Sequence, residues 1–240
     1  MEPVCLVYHG LCRARPAADP NHLLVLETEF ERQLALLDRR KFQPVDLDGF
    51  LTAMGDGGAR RRYLLTFDDG YLSVLEIAAP ILVRRSQPAL VFVSPALLGV
   101  ETMPERILSA DELRELERSG CEIGAHGFDH RRLVELTDDE LRRQCREARE
   151  HLADVLGTPP RAFSYPHGAF DARACRAVEA AGYEVGFAVN RSGGMFALPR
   201  VGVYGRDGIP VFRAKLLFAH RRFRRLRQGA ALLRRPGASP

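Results

Sequence analysis

Short apolar runs suited to buried strands recur along the chain at 4–8, 63–66, 89–93, 122–124, 162–165 and 184–189. Between them the apolar positions change to helical spacing. Residues 28–40 place Phe30, Leu34 and Leu37 on one face. Ser109-Ala-Asp-Glu112 has the form of a capping box, opening a helix over 111–119 that Gly120 stops. Thr137-Asp-Asp-Glu140 opens a longer helix reaching about residue 156, where Gly157 and Pro159-Pro160 end it. Asp171 caps a helix over 172–181 that stops at Gly182.

Strands alternating with helices imply parallel pairing through right-handed crossovers. Six or more such units in about 200 residues predict an α/β fold, a (β/α) barrel complete or not; the pattern also permits an open doubly wound sheet. The chain has 240 residues, 46% hydrophobic, enough for one sizeable core. No apolar run reaches the length of a membrane span, and no basic leader or long apolar stretch precedes Val4. The five cysteines (Cys5, Cys12, Cys121, Cys145, Cys175) are scattered, without a CxxC pair, which suits reduced thiols. The expected setting is cytoplasmic. Net charge is +4, but nine basic residues and no acid lie beyond Gly208, so the remainder is net acidic. The charge shift therefore divides the chain into a main domain, 1–207, and a basic C-terminal helix and tail, 208–240. That tail would suit peripheral contact with an anionic inner membrane leaflet. Sparse aromatics make it a poor sequence-specific nucleic-acid reader.

Polar residues gather where strands end. His9 follows the first run, Asp68 and Asp69 follow "LLTF", and His126 and His130 lie in "AHGFDH". Tyr165 ends the run at 162–165, and His167 and Gly168 follow it. In parallel α/β folds such loops open on one face, so these clusters should converge. Alone, the Asp pair also reads as a helix N-cap with an acidic neighbour, and the two histidines as solvated surface residues. Together, one carboxylate and two imidazoles at i, i+4 form a catalytic-zinc type of ligand set, leaving the second carboxylate free as a general base.

"TFDDG" at 66–70, "HGFDH" at 126–130 and "YPHG" at 165–168 resemble the first three motifs of the polysaccharide deacetylases, carbohydrate esterase family 4 or the NodB-homology domain. The resemblance covers roughly residues 1–205. It implies a distorted (β/α)7 barrel and metal-dependent removal of an acetyl group from an N-acetylated sugar or glycan. It assigns Asp68 as base and Asp69, His126 and His130 as metal ligands. The backbone of His167 would help hold the oxyanion, with Tyr165, Pro166, Gly168 and Tyr71 bordering the substrate. Zn²⁺ is the expected metal, with Co²⁺, Ni²⁺ or Fe²⁺ as alternatives that suit the same ligands.

The chain departs from the family pattern in four places. Gly127 stands where Ser or Thr is usual, so a hydrogen bond bracing that loop is lost. Ser164 stands where an Arg usually pairs with the base; Arg161 or Arg200 would supply the guanidinium, and Arg200 is favoured. The C-terminal Leu-x-His that provides the acid is missing, and His220 lies in a basic segment. No Trp occurs anywhere. These gaps resemble the branch of bacterial poly-N-acetylglucosamine deacetylases, in which an N-terminal "YH" supplies the acid, here His9. Asp68 would then take a proton from water held by the metal, and protonated His9 would donate to the departing amine. The alternative is a deformylase or deacetylase of a lipid-linked or nucleotide-linked amino sugar at the inner membrane surface.

Overall fold

A computed structural model describes residues 3–56, 61–189 and 193–219. Strands β1 (Val4–Tyr8), β2 (Gly10–Cys12), β3 (Leu24–Leu26), β4 (Phe42–Pro44), β5 (Arg61–Phe67), β6 (Ala89–Val93), β7 (Cys121–Ala125), β8 (Ala162–Ser164), β9 (Val185–Val189) and β10 (Leu198–Gly202) all pair in parallel. β1 bonds both β5 and β10, so β1, β5, β6, β7, β8, β9 and β10 form a closed seven-strand ring. The seam between β7 and β8 is narrow, with Ala125 opposite Phe163. β4 extends the sheet along the N-terminal half of β5. The barrel expected from the sequence is present, and the open doubly wound alternative is not.

Strand alternation sorts each residue to the lumen or to the helical coat. In β1, Val4, Leu6 and Tyr8 join the outer core, while Cys5 points inward to Leu64, Leu90, Phe92, Ala162, Val185, Phe187 and Leu198. These lumen residues are a near-continuous apolar plug. The helix α2 (Leu47–Asp56) adds Leu47 and Phe50, the latter on Phe187 with ring centroids 6.1 Å apart, and stoppers the end opposite the polar clusters. Gly124 makes room in this plug, since a Cβ there would lie 2.5 Å from the Phe92 ring.

Outside lie α1 (Glu27–Arg39), α3 (Ala79–Arg84), α4 (Ala110–Arg118), α5 (Asp138–Leu156), α6 (Ala172–Ala180) and a helix over 209–219. Both expected capping boxes form: Ser109 with Glu112 on α4, and Thr137 with Glu140 on α5. Gly157 ends α5 in the left-handed region at φ 82°, which glycine adopts at least cost. Asp171 accepts the Ala174 N–H at 2.8 Å as the cap of α6. The helix over 209–219 packs Phe212, Leu216 and Ala219 into the outer core. Residues 220–240, with His220 and most of the basic tail, lie outside the described residues.

Candidate active site

The inward alternation of the strands carries past their apolar plug into a polar layer. Continuing Leu64 by twos gives Thr66 and Asp68; continuing Leu198 gives Arg200; continuing Ala162 gives Ser164. These four meet at the mouth of the barrel. Arg200, 1% exposed, donates from Nη1 to Asp68 Oδ1 and from Nη2 to Oδ2, each at 2.7 Å. The same nitrogens donate to Thr66 Oγ1 at 3.1 Å and Ser164 Oγ at 2.7 Å. Thr66 in turn donates to Leu6 O at 2.8 Å. The guanidinium rests over Phe92, 5.2 Å from its centroid. Burial drives the Asp68 carboxyl upward, but Arg200, followed by His126, outweighs it and keeps its pKa below the ordinary aspartate value. Arg161 sits apart, on Asp48 and Glu184 at the surface.

Asp69 turns the other way. Its backbone is left-handed at φ 71°, followed by Gly70 at 74°, so it caps no helix. Its Oδ1 lies 3.4 Å from His126 Nε2 and 3.1 Å from His130 Nε2. One ligand atom from each of the three lies within 4.8 Å of the others. His130 (φ 64°) and His167 (φ 59°) are also left-handed. Such conformations cost of order 1 kcal/mol or more in non-glycine residues and persist where the surroundings impose them. Burial again acts upward on Asp69, and the two imidazoles reverse it, holding the carboxyl well below its usual range.

His9 lines the same cleft, of about 400 Å³, as Asp68, Asp69, His126 and His130. The β1–β5 register explains this: Tyr8 stands opposite Phe67, so His9 follows beside Asp68. Gly10 is required directly after it, because a Cβ there would lie 2.6 Å from Leu24 Cδ2 and 2.8 Å from Ser73 Oγ. Tyr204 stacks on His9 at 6.1 Å with its ring 28° from parallel. Among the described residues His9 Nδ1 has no hydrogen-bond partner. Tyr71, Gly168 and His167 border the cleft as expected, and the His167 ring meets His130 at 4.7 Å. Tyr165 and Pro166 do not border it. The Tyr165 ring is wholly buried in the outer core, its hydroxyl donating to Phe196 O at 2.6 Å, because its strand position faces outward. Pro166 packs instead beside Gly127.

The loop bond missing at Gly127 is replaced from elsewhere. Gln144 on α5 accepts the Phe128 N–H at 2.9 Å, and Ser94 Oγ donates to His126 O at 2.6 Å. Sequence reasoning did not find Gln144, Thr66, Ser94 or Tyr204. Thr66 was accessible from strand alternation, two positions before Asp68; Tyr204 lies past a strand, β10, that the apolar pattern did not reveal, and Gln144 carries no local signal.

Residues 56–186, more than half the chain, match the polysaccharide deacetylase family. The chain belongs to that family. The Bacillus subtilis (strain 168) protein YxkH, which carries a polysaccharide deacetylase name, is 27% identical over 206 residues, covering 82% of this chain and 70% of YxkH. The structure of IcaB from Ammonifex degensii is similar at 25% identity and TM-score 0.77, covering 89% of this chain and 96% of that one. Streptococcus pyogenes deacetylase PplD, solved with acetate, shares the fold at 20% identity and TM-score 0.77, covering 90% and 98%.

Polysaccharide deacetylases are in general metal-dependent, and the donor set here fits a cation. His126 Nδ1 lies 2.9 Å from the Ser164 carbonyl, which only accepts, so Nδ1 carries the proton. In the neutral ring Nε2 then presents a lone pair to the Asp69 carboxylate, and two acceptors face each other. A proton or a cation must sit between them. Burial lowers the His126 pKa, but Asp68 and Asp69 overcome it and raise the value, which is the proton's solution to that conflict. A divalent metal is the other, with Ser164 fixing ring and tautomer from behind.

Proposed function

We propose that this polysaccharide deacetylase is a metal-dependent hydrolase that removes the N-acetyl group from an N-acetylated amino sugar in a glycan or glycan precursor. One observation carries the reading: a carboxylate and two imidazoles converge within ligand distance, while a second, ion-paired carboxylate stands beside them in one cleft. Asp69, His126 and His130 would hold the ion, taken as Zn²⁺ because two imidazoles and a carboxylate are a common catalytic-zinc ligand set. When bound, the metal supplies Lewis acidity to the amide oxygen and to water.

The chain's own residues do the rest. Asp68 accepts the proton of the attacking water, and Arg200 keeps both carboxylate oxygens ionised and aimed until it does. The new bond joins the water oxygen to the acyl carbon. As the C–N bond breaks, His9 delivers a proton to the nitrogen, so the products are acetate and the free amine. His9 must act from its cleft-facing position, with Tyr204 behind the ring.

The same machinery would hydrolyse a formamide on a lipid-linked or nucleotide-linked amino sugar. A panel of free, oligomeric and carrier-linked N-acetyl and N-formyl sugars, read by mass spectrometry, separates the two. Loss of an acetyl group from N-acetylglucosamine oligomers supports the first reading; metal-independent loss, or none across the panel, overturns it. We place the enzyme in the cytoplasm, a setting supported by five free cysteines. Cell fractionation with tagged full-length protein tests this, and recovery outside the cytoplasm contradicts it.

A further inference from the structure

The turn bearing both metal-side histidines has one side-chain bond of its own, from the Arg131 N–H to Asp129 Oδ1 at 3.3 Å, and none at Gly127. Gly127 follows His126 at φ 71°, and a Cβ placed there would lie 3.2 Å from Pro166 Cγ and 3.5 Å from Gln144 Oε1. The space beside the turn is thus filled from two other segments. Gln144, 7% exposed, reaches in from α5 and accepts the N–H of Phe128 at 2.9 Å and, more weakly, of Asp129 at 3.4 Å. These two amides are the backbone between His126 and His130. Its neighbours on α5, Leu141, Cys145, Ala148 and Leu152, are buried in the outer core, so the carboxamide is tied to a rigid element.

A buried glutamine needs partners wherever it lies, and satisfying itself would be its whole role if the amides belonged to an ordinary turn. Here they belong to the segment that sets the distance between two ligands. His130 is held in the left-handed region, which persists only where contacts impose it. His126 is separately fixed by Ser94 at its carbonyl and by Ser164 at Nδ1. Gln144 supplies the corresponding constraint between the two histidines.

We propose that Gln144 is a positioning residue for the metal centre: its side-chain oxygen clamps the 128–129 amides and so presets His130 against His126 and Asp69. The proposal rests on the metal-dependent reading above. A ligand set ordered beforehand loses less conformational freedom on binding, so the effect belongs in metal affinity.

The test is the zinc dissociation constant of the full chain, measured by competition with a chromophoric chelator, alongside thermal unfolding of the metal-free proteins. Gln144→Met keeps the side chain's length without the acceptor and is expected to weaken zinc binding by about 10–100-fold. Gln144→Glu keeps an acceptor oxygen and is expected to bind at least as tightly as wild type. Both are compared at a temperature where the metal-free chains remain folded; if Gln144→Met melts below it, Gln144→Leu takes its place. Wild-type affinity in the variant lacking the acceptor overturns the proposal and leaves the metal reading intact. A wild-type chain that takes up no zinc overturns both.

Discussion

Asp68 keeps a charge that its burial opposes. Two parallel hydrogen bonds from Arg200 reverse the balance, and bidentate pairing is stronger and more directional than a single contact. Removing the cation strands the carboxylate. Arg200→Ala is therefore expected to cost about 3–5 kcal/mol, checked by urea unfolding. Asp68→Asn should lower kcat by about 10²–10⁴-fold while leaving zinc stoichiometry unchanged; loss of zinc instead would make Asp68 a ligand. His9→Ala should likewise cost turnover and spare metal uptake, and normal turnover would remove His9 from the reaction. Arg200 was reached only through the family resemblance, as a replacement for the guanidinium missing at Ser164. Asp68, Asp69, His9, His126 and His130, proposed as base, acid and ligand set, were readable because they cluster just past apolar runs. Their orientation was not: the same rule placed Tyr165 at the substrate, whereas its strand position turns the ring outward.

At the scale of elements, the capped helices were the most legible, because N-cap and glycine signals are local. The strand β10 was not recognised, although it closes the ring and carries Arg200. Pro199 and Arg200 interrupt its apolar pattern, and proline lacks the ladder N–H that central strands use. Leu198 nonetheless pairs with Phe187, and Leu6 pairs with Val201, so tertiary closure overrides the local sequence. α2 was missed although Leu47, Phe50, Leu51 and Met54 stand at helical spacing, because it is short and Gly49 and Gly55 interrupt it. The cap of α4 makes a pH prediction. Arg106, then the Ser109 amide, holds Glu112 down to about 2 from 4.5. A depressed carboxyl contributes stability that is full above its unfolded value and lost as pH falls through the folded one. The destabilisation of Glu112→Gln against wild type, read from urea midpoints, should be largest near neutrality and shrink below about pH 4.5.

For the molecule as a whole, the barrel divides its labour along one axis. An apolar plug stoppered by Leu47 and Phe50 fixes one end, and the polar layer of Thr66, Ser164, Arg200 and Asp68 sits on top of it. Cys5 lies within that plug, where burial pushes its thiol up to about 12, so it is no rival nucleophile. Metal held at the mouth should stabilise the whole fold, since it binds only the native arrangement: unfolding temperature should rise with added zinc, by linkage. Among the described residues no helix is long and apolar enough to cross a membrane. Metal-dependent deacetylation is tested by acetate release from N-acetylglucosamine oligomers by chelator-stripped protein, before and after zinc is restored. The stripped chain should release none, zinc should restore release, and His126→Ala should release none even with zinc. Equal release by the stripped and restored protein would contradict it.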